Sequence, residues 1–155
     1  MTGVIQYLSK EKKEELEKEL EFLIAVRRKE IAEALEEAMS HGDLKENAEY
    51  HETRERQAEL EERIISISAI LRDAKVVKSH HSDVVEVGSV AIIQKDGDKE
   101  KKKFQIVGAS EVDVVGGKIS NESPIGLAML GKKKGDSFSV KTSKSDSKYK
   151  IVDIE

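Results

Sequence analysis

RRKEIAEALEEAMSHGDLKENAEYHETRERQAELEERI, Arg27–Ile64, sets a single glycine, Gly42, in the middle of a charged segment that otherwise reads as helix. The chain has neither glycine nor proline between Gly3 and Gly42, and none between Gly42 and Gly88. Those two residues are the strongest helix breakers, so their absence on both sides of Gly42 predicts two long helices. In the first, Leu16, Leu20 and Leu23 are followed by Ile24, Ile31, Leu35 and Ala38 at spacings of three, four and seven. In the second, Leu60, Ile64, Ile67, Leu71 and Ala74 alternate four and three. Both stripes are narrow, as a two-helix seam requires. Each helix would run about 30 residues, or roughly 45 Å at 1.5 Å per residue. Only a few residues around Gly42 join them, which forces an antiparallel coiled-coil hairpin over residues 1–75 with an acidic tip at 41–50.

The composition supports this outline and narrows the functions available. Of 155 residues, 37% are apolar and 37% charged, which is little for one thick core and much for an ordinary surface. Long solvated helices account for that excess, and runs such as KEKKEELEKELE read as their outer faces. The formal net charge of -4 argues against a sequence-independent nucleic-acid coat, since phosphate binding needs a basic excess. Any nucleic-acid role would be indirect or local. There is no cysteine, which removes disulfides, thiolate metal sites and cysteine nucleophiles. No apolar run approaches the length of a membrane span, and the expectation is a soluble, cytoplasmic protein.

After about Lys75 the pattern changes to short β-branched runs separated by turn residues. SVAIIQ and KKFQIVG flank KDGDKE, whose Asp-Gly pair predicts a β-hairpin. VDVVGG, SFSVKT and YKIVDIE are expected to supply further strands. SPIGLAML reads as a short helix begun at Ser123 with Pro124 in its first position. Residues 84–155 are therefore expected to form a small α+β domain with a mostly antiparallel sheet, reached through a linker at 76–83. Residues 1–75 carry 13 Lys or Arg against 19 Asp or Glu, whereas residues 76–155 carry 14 against 12, so the hairpin is acidic and the second half slightly basic. In the connection, His80 and His81 have no carboxylate at ligand spacing and read as a solvated pair.

At the tip, Asp43 and Glu46 match the spacing of a capping box, in which each would satisfy a backbone N–H of the other. The cap does not explain their company. They would stand at the far end of a rod, surrounded by Leu44, Ala48 and Tyr50, apolar side chains with little to pack against. Two carboxylates three residues apart on one helical face can also share a divalent cation. Magnesium accepts one or two carboxylates with its other positions filled by water or substrate phosphate. Such a site would be incomplete until a partner holding phosphates and a first metal ion completed it.

HGDLKENAEYHETRERQAELEERI (His41–Ile64) together with ISNESPIGLAMLGKKKGD (Ile119–Asp136) resembles the bacterial transcript cleavage factors of the Gre family. The similarity covers nearly the whole chain, with both motifs in the family's order. It implies an antiparallel coiled-coil hairpin followed by an FKBP-like globular domain. It implies a cytoplasmic monomer whose partner is bacterial RNA polymerase, with no membrane involved. The globular domain would bind at the rim of the polymerase secondary channel through Ser123, Pro124 and Ile125, and the hairpin would enter the channel. Asp43 and Glu46 would then help hold a magnesium ion shared with the polymerase catalytic centre, while the free protein binds no cofactor. Hydrolysis of backtracked RNA would remove the misaligned 3′ end and rescue the arrested complex. Asn47 and Tyr50 fall on family tip positions that support the acids or contact the nascent RNA 3′ end and polymerase, and Arg54 on the basic patch that contacts extruded RNA. One departure is Met39, followed by Ser40, where family members often carry a basic residue; weaker contact with long backtracked RNA is expected.

Other functions fit the residues less well. HETRE, around His51, is not the His-Glu-x-x-His of a zinc hydrolase, and no nucleophile and base pair is visible; His51 reads as a surface or seam residue. Phe104, Phe138 and Tyr149 are too few to line a prolyl isomerase pocket. The rivals that remain are a channel-binding regulator that does not promote cleavage, and a coiled-coil adaptor in which Asp43 and Glu46 are caps only.

Overall fold

The computed structural model describes residues 5–78 and 82–155; His80 and His81 lie outside them. The chain is α+β and divides into two compact units, Lys13–Asp73 on one side and Met1–Lys12 with Ala74–Glu155 on the other.

The first unit is helical. Helix α1 (Lys10–Phe22) runs into a π-helical turn at Leu23–Arg27 and then into α2 (Arg28–Ser40); α3 spans Ala48–Asp73. Ile31, Leu60 and Ile64 form a buried cluster with Leu20, Leu23 and Leu35 against it. Each such side chain stabilises the pairing by about 1.5–3 kcal/mol when fully buried. Two surface pairs show the direction of the helices. Arg28 donates to both oxygens of Glu61 at 2.8 and 2.6 Å, and Arg63 to both oxygens of Glu19 at 2.7 and 2.9 Å. Higher numbers on α3 meet lower numbers on the first stretch, so the helices are antiparallel. The Arg28 guanidinium also holds the Glu61 carboxyl below the usual carboxylate range through their hydrogen bond.

The seam departs from the expected stripe at one place. Ile24 is 43% exposed, while Leu23 packs inward. In an unbroken α-helix Ile31, eight residues after Leu23, would sit about 80° off its line. The π turn absorbs one extra residue and returns Ile31, Leu35 and Ala38 to the face of Leu16, Leu20 and Leu23. Ile24 was read into the stripe because it is where the sequence changes phase.

The second unit is built on a five-stranded sheet of order β5-β4-β3-β7-β6: β3 Val90–Lys95, β4 Lys101–Val107, β5 Lys118–Ser120, β6 Ser137–Lys141 and β7 Asp146–Ile154. Only the β4–β5 pairing is parallel; β3–β4, β3–β7 and β6–β7 are antiparallel. β3 and β4 form the hairpin expected around Asp96-Gly97. Ala91, Ile93, Ile106, Ile119, Phe138, Val140 and Ile151 share one face of the sheet and bury it under α4 (Pro124–Met129) with Met129. VDVVGG is a turn rather than a strand. The Asp113 carboxylate accepts the Gly116 N–H at 3.0 Å, Asp113 and Lys118 exchange backbone bonds, and Val115 is fully exposed. The strand begins only after it, at Lys118.

Two three-residue strands were not expected. β1 (Tyr7–Ser9) and β2 (Lys75–Val77) pair in parallel, Leu8 opposite Val76. The Ser9 N–H donates to Glu111 at 2.8 Å, and the Ser9 hydroxyl, which donates to the other Glu111 oxygen at 2.5 Å, accepts the Lys12 N–H. The stretch before α1 thus joins the sheet unit.

Candidate functional site

The tip of the helical unit is assembled by the residues that end one helix and begin the next. α2 closes with the His41 N–H on the Ala38 carbonyl at 3.2 Å and the Ser40 hydroxyl on the Glu37 carbonyl at 2.6 Å. Gly42 follows with φ of +116°, a backbone conformation other residues rarely adopt, and a Cβ there would meet nothing within 4 Å. Gly42 is therefore required for its dihedral angle rather than for space.

Asp43 is not the cap of α3. Its carboxylate accepts the N–H of Lys45, two residues on, at 3.0 Å, closing a local turn of the kind aspartate favours. The helix starts at Ala48, and its cap is Asn47, whose side-chain oxygen accepts the Tyr50 N–H at 3.1 Å. The same amide donates from Nδ2 to the Ala38 carbonyl at 2.6 Å, so one side chain ties the end of α2 to the start of α3. A carboxylate could not do both, because it has no proton to give. Asp43 and Glu46 consequently lie on the exposed turn between the helices, not three apart on one helical face. Among the described residues Glu46 makes no hydrogen bond or ion pair.

Two imidazoles flank this turn. His41 Nδ1 lies 3.2 Å from a Glu49 carboxylate oxygen, and His51 Nε2 lies 3.3 Å from the Lys45 carbonyl. The Tyr50 ring is half-buried and meets the His51 ring edge-on at 5.6 Å. Beneath them Thr53, 4% exposed, returns its hydroxyl to the Glu49 carbonyl at 2.8 Å, and Ala38 is fully buried. Leu44 and Met39 remain 38% and 54% exposed. Arg54 is exposed on α3, its guanidinium donating to Gln57 at 2.6 Å.

The other expected residues belong to the sheet unit. Ser123 caps α4, accepting the Gly126 N–H at 3.1 Å and donating to the Ser120 carbonyl at 2.7 Å, with Pro124 in the first helical position. Pro124 is exposed, and Ile125 is half-buried against the core. A Cβ on Gly126 would lie 2.1 Å from the Ser120 carbonyl oxygen, so the helix start is fixed against β5 by a glycine.

No group of three or more His, Asp or Glu side chains is placed to hold a metal ion among the described residues. Asp43 and Glu46 offer two exposed carboxylates, hard oxygen donors that suit magnesium as part of a shared shell and are too few to enclose it. The sequence reading missed Asn47 as the cap and His51 as part of the turn. Asn47 carries a legible signal, since asparagine is a strong N-cap and Glu49 stands in the first turn behind it.

Residues 6–76 match the sequence family described as "Transcription elongation factor, N-terminal", and residues 79–155 the one described as "Transcription elongation factor, GreA/GreB, C-term". The transcription elongation factor GreA of Clostridium botulinum is 44% identical over 141 residues, covering 90% of this chain and 88% of that protein. That of Streptococcus sanguinis is 44% identical over 147 residues, covering 94% and 92%. Among solved structures, GreA factor homolog 1 of Thermus thermophilus is 30% identical and covers 98% of this chain and 99% of its own, with a TM-score of 0.46.

Proposed function

The chain belongs to the GreA/GreB family of transcription elongation factors, and from that membership we propose that its tip stimulates RNA cleavage by RNA polymerase from within the secondary channel. As a member of the family it is a transcription elongation factor whose partner is RNA polymerase, and it is not itself the enzyme. In this reading the sheet unit is an FKBP-like docking module that holds the channel rim through Ser123, Pro124 and Ile125. The helical hairpin carries Asp43 and Glu46 to the polymerase catalytic centre, and the factor acts as a cytoplasmic monomer. The two carboxylates would serve as oxygen ligands to a magnesium ion shared with the polymerase, which when bound supplies an activated water for attack on the phosphodiester of backtracked RNA. Tyr50 and Arg54 would face the RNA 3′ end and the extruded strand, with Asn47 supporting the turn.

The observation that carries this reading is that Asn47 alone does the capping. Asp43 and Glu46 do not cap α3, stand exposed, and place two carboxylates on one turn, where the one hydrogen bond they make among the described residues, from the Lys45 N–H to Asp43, needs an oxygen and not a charge. The test is cleavage of RNA in halted, backtracked polymerase with magnesium. Wild-type protein is expected to shorten the RNA, and Asp43→Asn and Glu46→Gln each to slow the reaction by at least about tenfold, the lower end for disturbing a metal site. Because neither residue caps α3, circular dichroism of both variants should match wild type. If wild type binds polymerase and leaves the RNA intact, the protein is a channel-binding regulator instead. If both variants cleave normally, the carboxylates have no metal role.

A further inference from the structure

We infer that His51 is a positioning residue for the acidic turn, a role that rests on the function proposed for Asp43 and Glu46. Lys45, between those two residues, has both backbone groups engaged. Its N–H donates to the Asp43 carboxylate at 3.0 Å, and its carbonyl faces His51 Nε2 at 3.3 Å. That carbonyl belongs to the peptide bond leading into Glu46. The imidazole therefore holds the peptide plane that aims Glu46, and the same residue's N–H holds one oxygen of Asp43 and leaves the other free. A single anchor on α3 sets the direction of both carboxylates.

The chemistry of the contact fixes the proton. A carbonyl oxygen only accepts, so Nε2 must carry hydrogen. The neutral ring with its proton on Nε2 and the imidazolium both donate from that atom, so the contact survives protonation of the ring. The groups facing His51 are the Lys45 carbonyl, through Nε2, and the Tyr50 ring, edge-on at 5.6 Å. His51 stands one turn inside α3, on an element fixed by the Asn47 cap, and its backbone N–H donates to the Asn47 carbonyl at 3.2 Å. This gives it a rigid base from which to hold a turn that has no helical hydrogen bonds of its own.

The contact is tested with His51→Ala, which removes the donor, and His51→Gln, whose Nε2 sits at the same number of bonds from the backbone and can donate in its place. In the free protein, backbone order parameters at Lys45 and Glu46 are expected to fall in His51→Ala and to recover in His51→Gln, with circular dichroism unchanged in both. In the cleavage assay at saturating factor, His51→Ala is expected to be about fivefold slower, the scale of one hydrogen bond. It should need more magnesium for half-maximal rate, with the same factor concentration for half-maximal effect, and His51→Gln should restore both properties. Unchanged order parameters in His51→Ala, or a His51→Gln as defective as His51→Ala, would overturn the inference. Running Asp43→Asn beside them separates the two levels. If it is inactive while His51→Ala matches wild type, only the positioning role fails; if it is fully active, the carboxylates do no work and both ideas fall.

Discussion

Asn47 shows why the acidic turn was only half legible in the sequence. Asp-x-x-Glu satisfies the formula of a capping box as well as many real caps do, and spacing alone cannot tell a cap from an exposed turn. What decides is which side chain can serve both helix ends. Asn47 has an acceptor for the Tyr50 N–H and a donor for the Ala38 carbonyl, and it sits nearer to the first helical residue. Asp43 then spends its reach on Lys45. The division predicts different costs for neighbouring substitutions. Asn47→Ala should lower stability in urea by about 1–2 kcal/mol, through lost capping and an unpaired carbonyl. Asn47→Asp should recover the capping part and not the rest. Asp43→Asn should leave stability within about 0.5 kcal/mol of wild type, because asparagine keeps an oxygen to accept the Lys45 N–H on an exposed turn. Equal losses for Asn47→Ala and Asp43→Asn would mean that the capping work is shared.

At the scale of elements, periodicity carried the helices and failed where a strand was too short to have a period. The stripes through Leu60, Ile64 and Ile67 and through Ile31 and Ala38 lie on buried faces as expected. The doubled apolar position at Leu23 and Ile24 was the visible trace of the π turn, although spacing could not say whether one or both faced the seam. β1 and β2, three residues each, have no alternation long enough to read and depend on partners far away in sequence. VDVVGG misled in the opposite sense: its valines suggested a strand, while Asp113 and the two glycines after them built a turn. The π turn makes a specific prediction. Deleting Ala25 removes the extra residue and puts Ile31 seven residues after Leu23, two regular α-helical turns, so the seam is conserved and the thermal midpoint should not fall. Deleting Ala32 instead rotates Leu35 and Ala38 about 100° off the seam. It should lower the midpoint of the hairpin by ~10 °C or more, as losing ~2 kcal/mol does in a unit of this size. A drop of the same size on deleting Ala25 would show that the π turn itself is needed.

For the whole molecule, two grammars in one chain were legible because helices and strands bury their apolar residues at different periods. The boundary was less so. The segment before α1 returns to the sheet unit through β1 and the bond from Ser9 to Glu111, a contact between residues that no local pattern connects. In the proposed function this organisation separates the residues assigned to docking, Ser123–Ile125 at the start of α4, from those assigned to cleavage, Asp43 and Glu46 on the interhelical turn. If docking and cleavage stimulation are carried by different units, they can be removed independently. A double variant, Asp43→Asn with Glu46→Gln, should still occupy the polymerase and should suppress cleavage by wild-type factor in proportion to its excess. Adding Pro124→Glu should weaken that competition. Pro124 is exposed in the first turn of α4, where an acidic side chain suits the helix end, so the sheet unit should remain folded while the proposed docking surface changes. The measurement is the rate of RNA shortening by a fixed amount of wild-type factor as each variant is titrated in. About tenfold more of the triple variant should be needed for the same inhibition, roughly 1.4 kcal/mol of lost affinity. A double variant that fails to compete would mean that the carboxylates themselves contribute much of the binding, and that the two roles are not divided between the units.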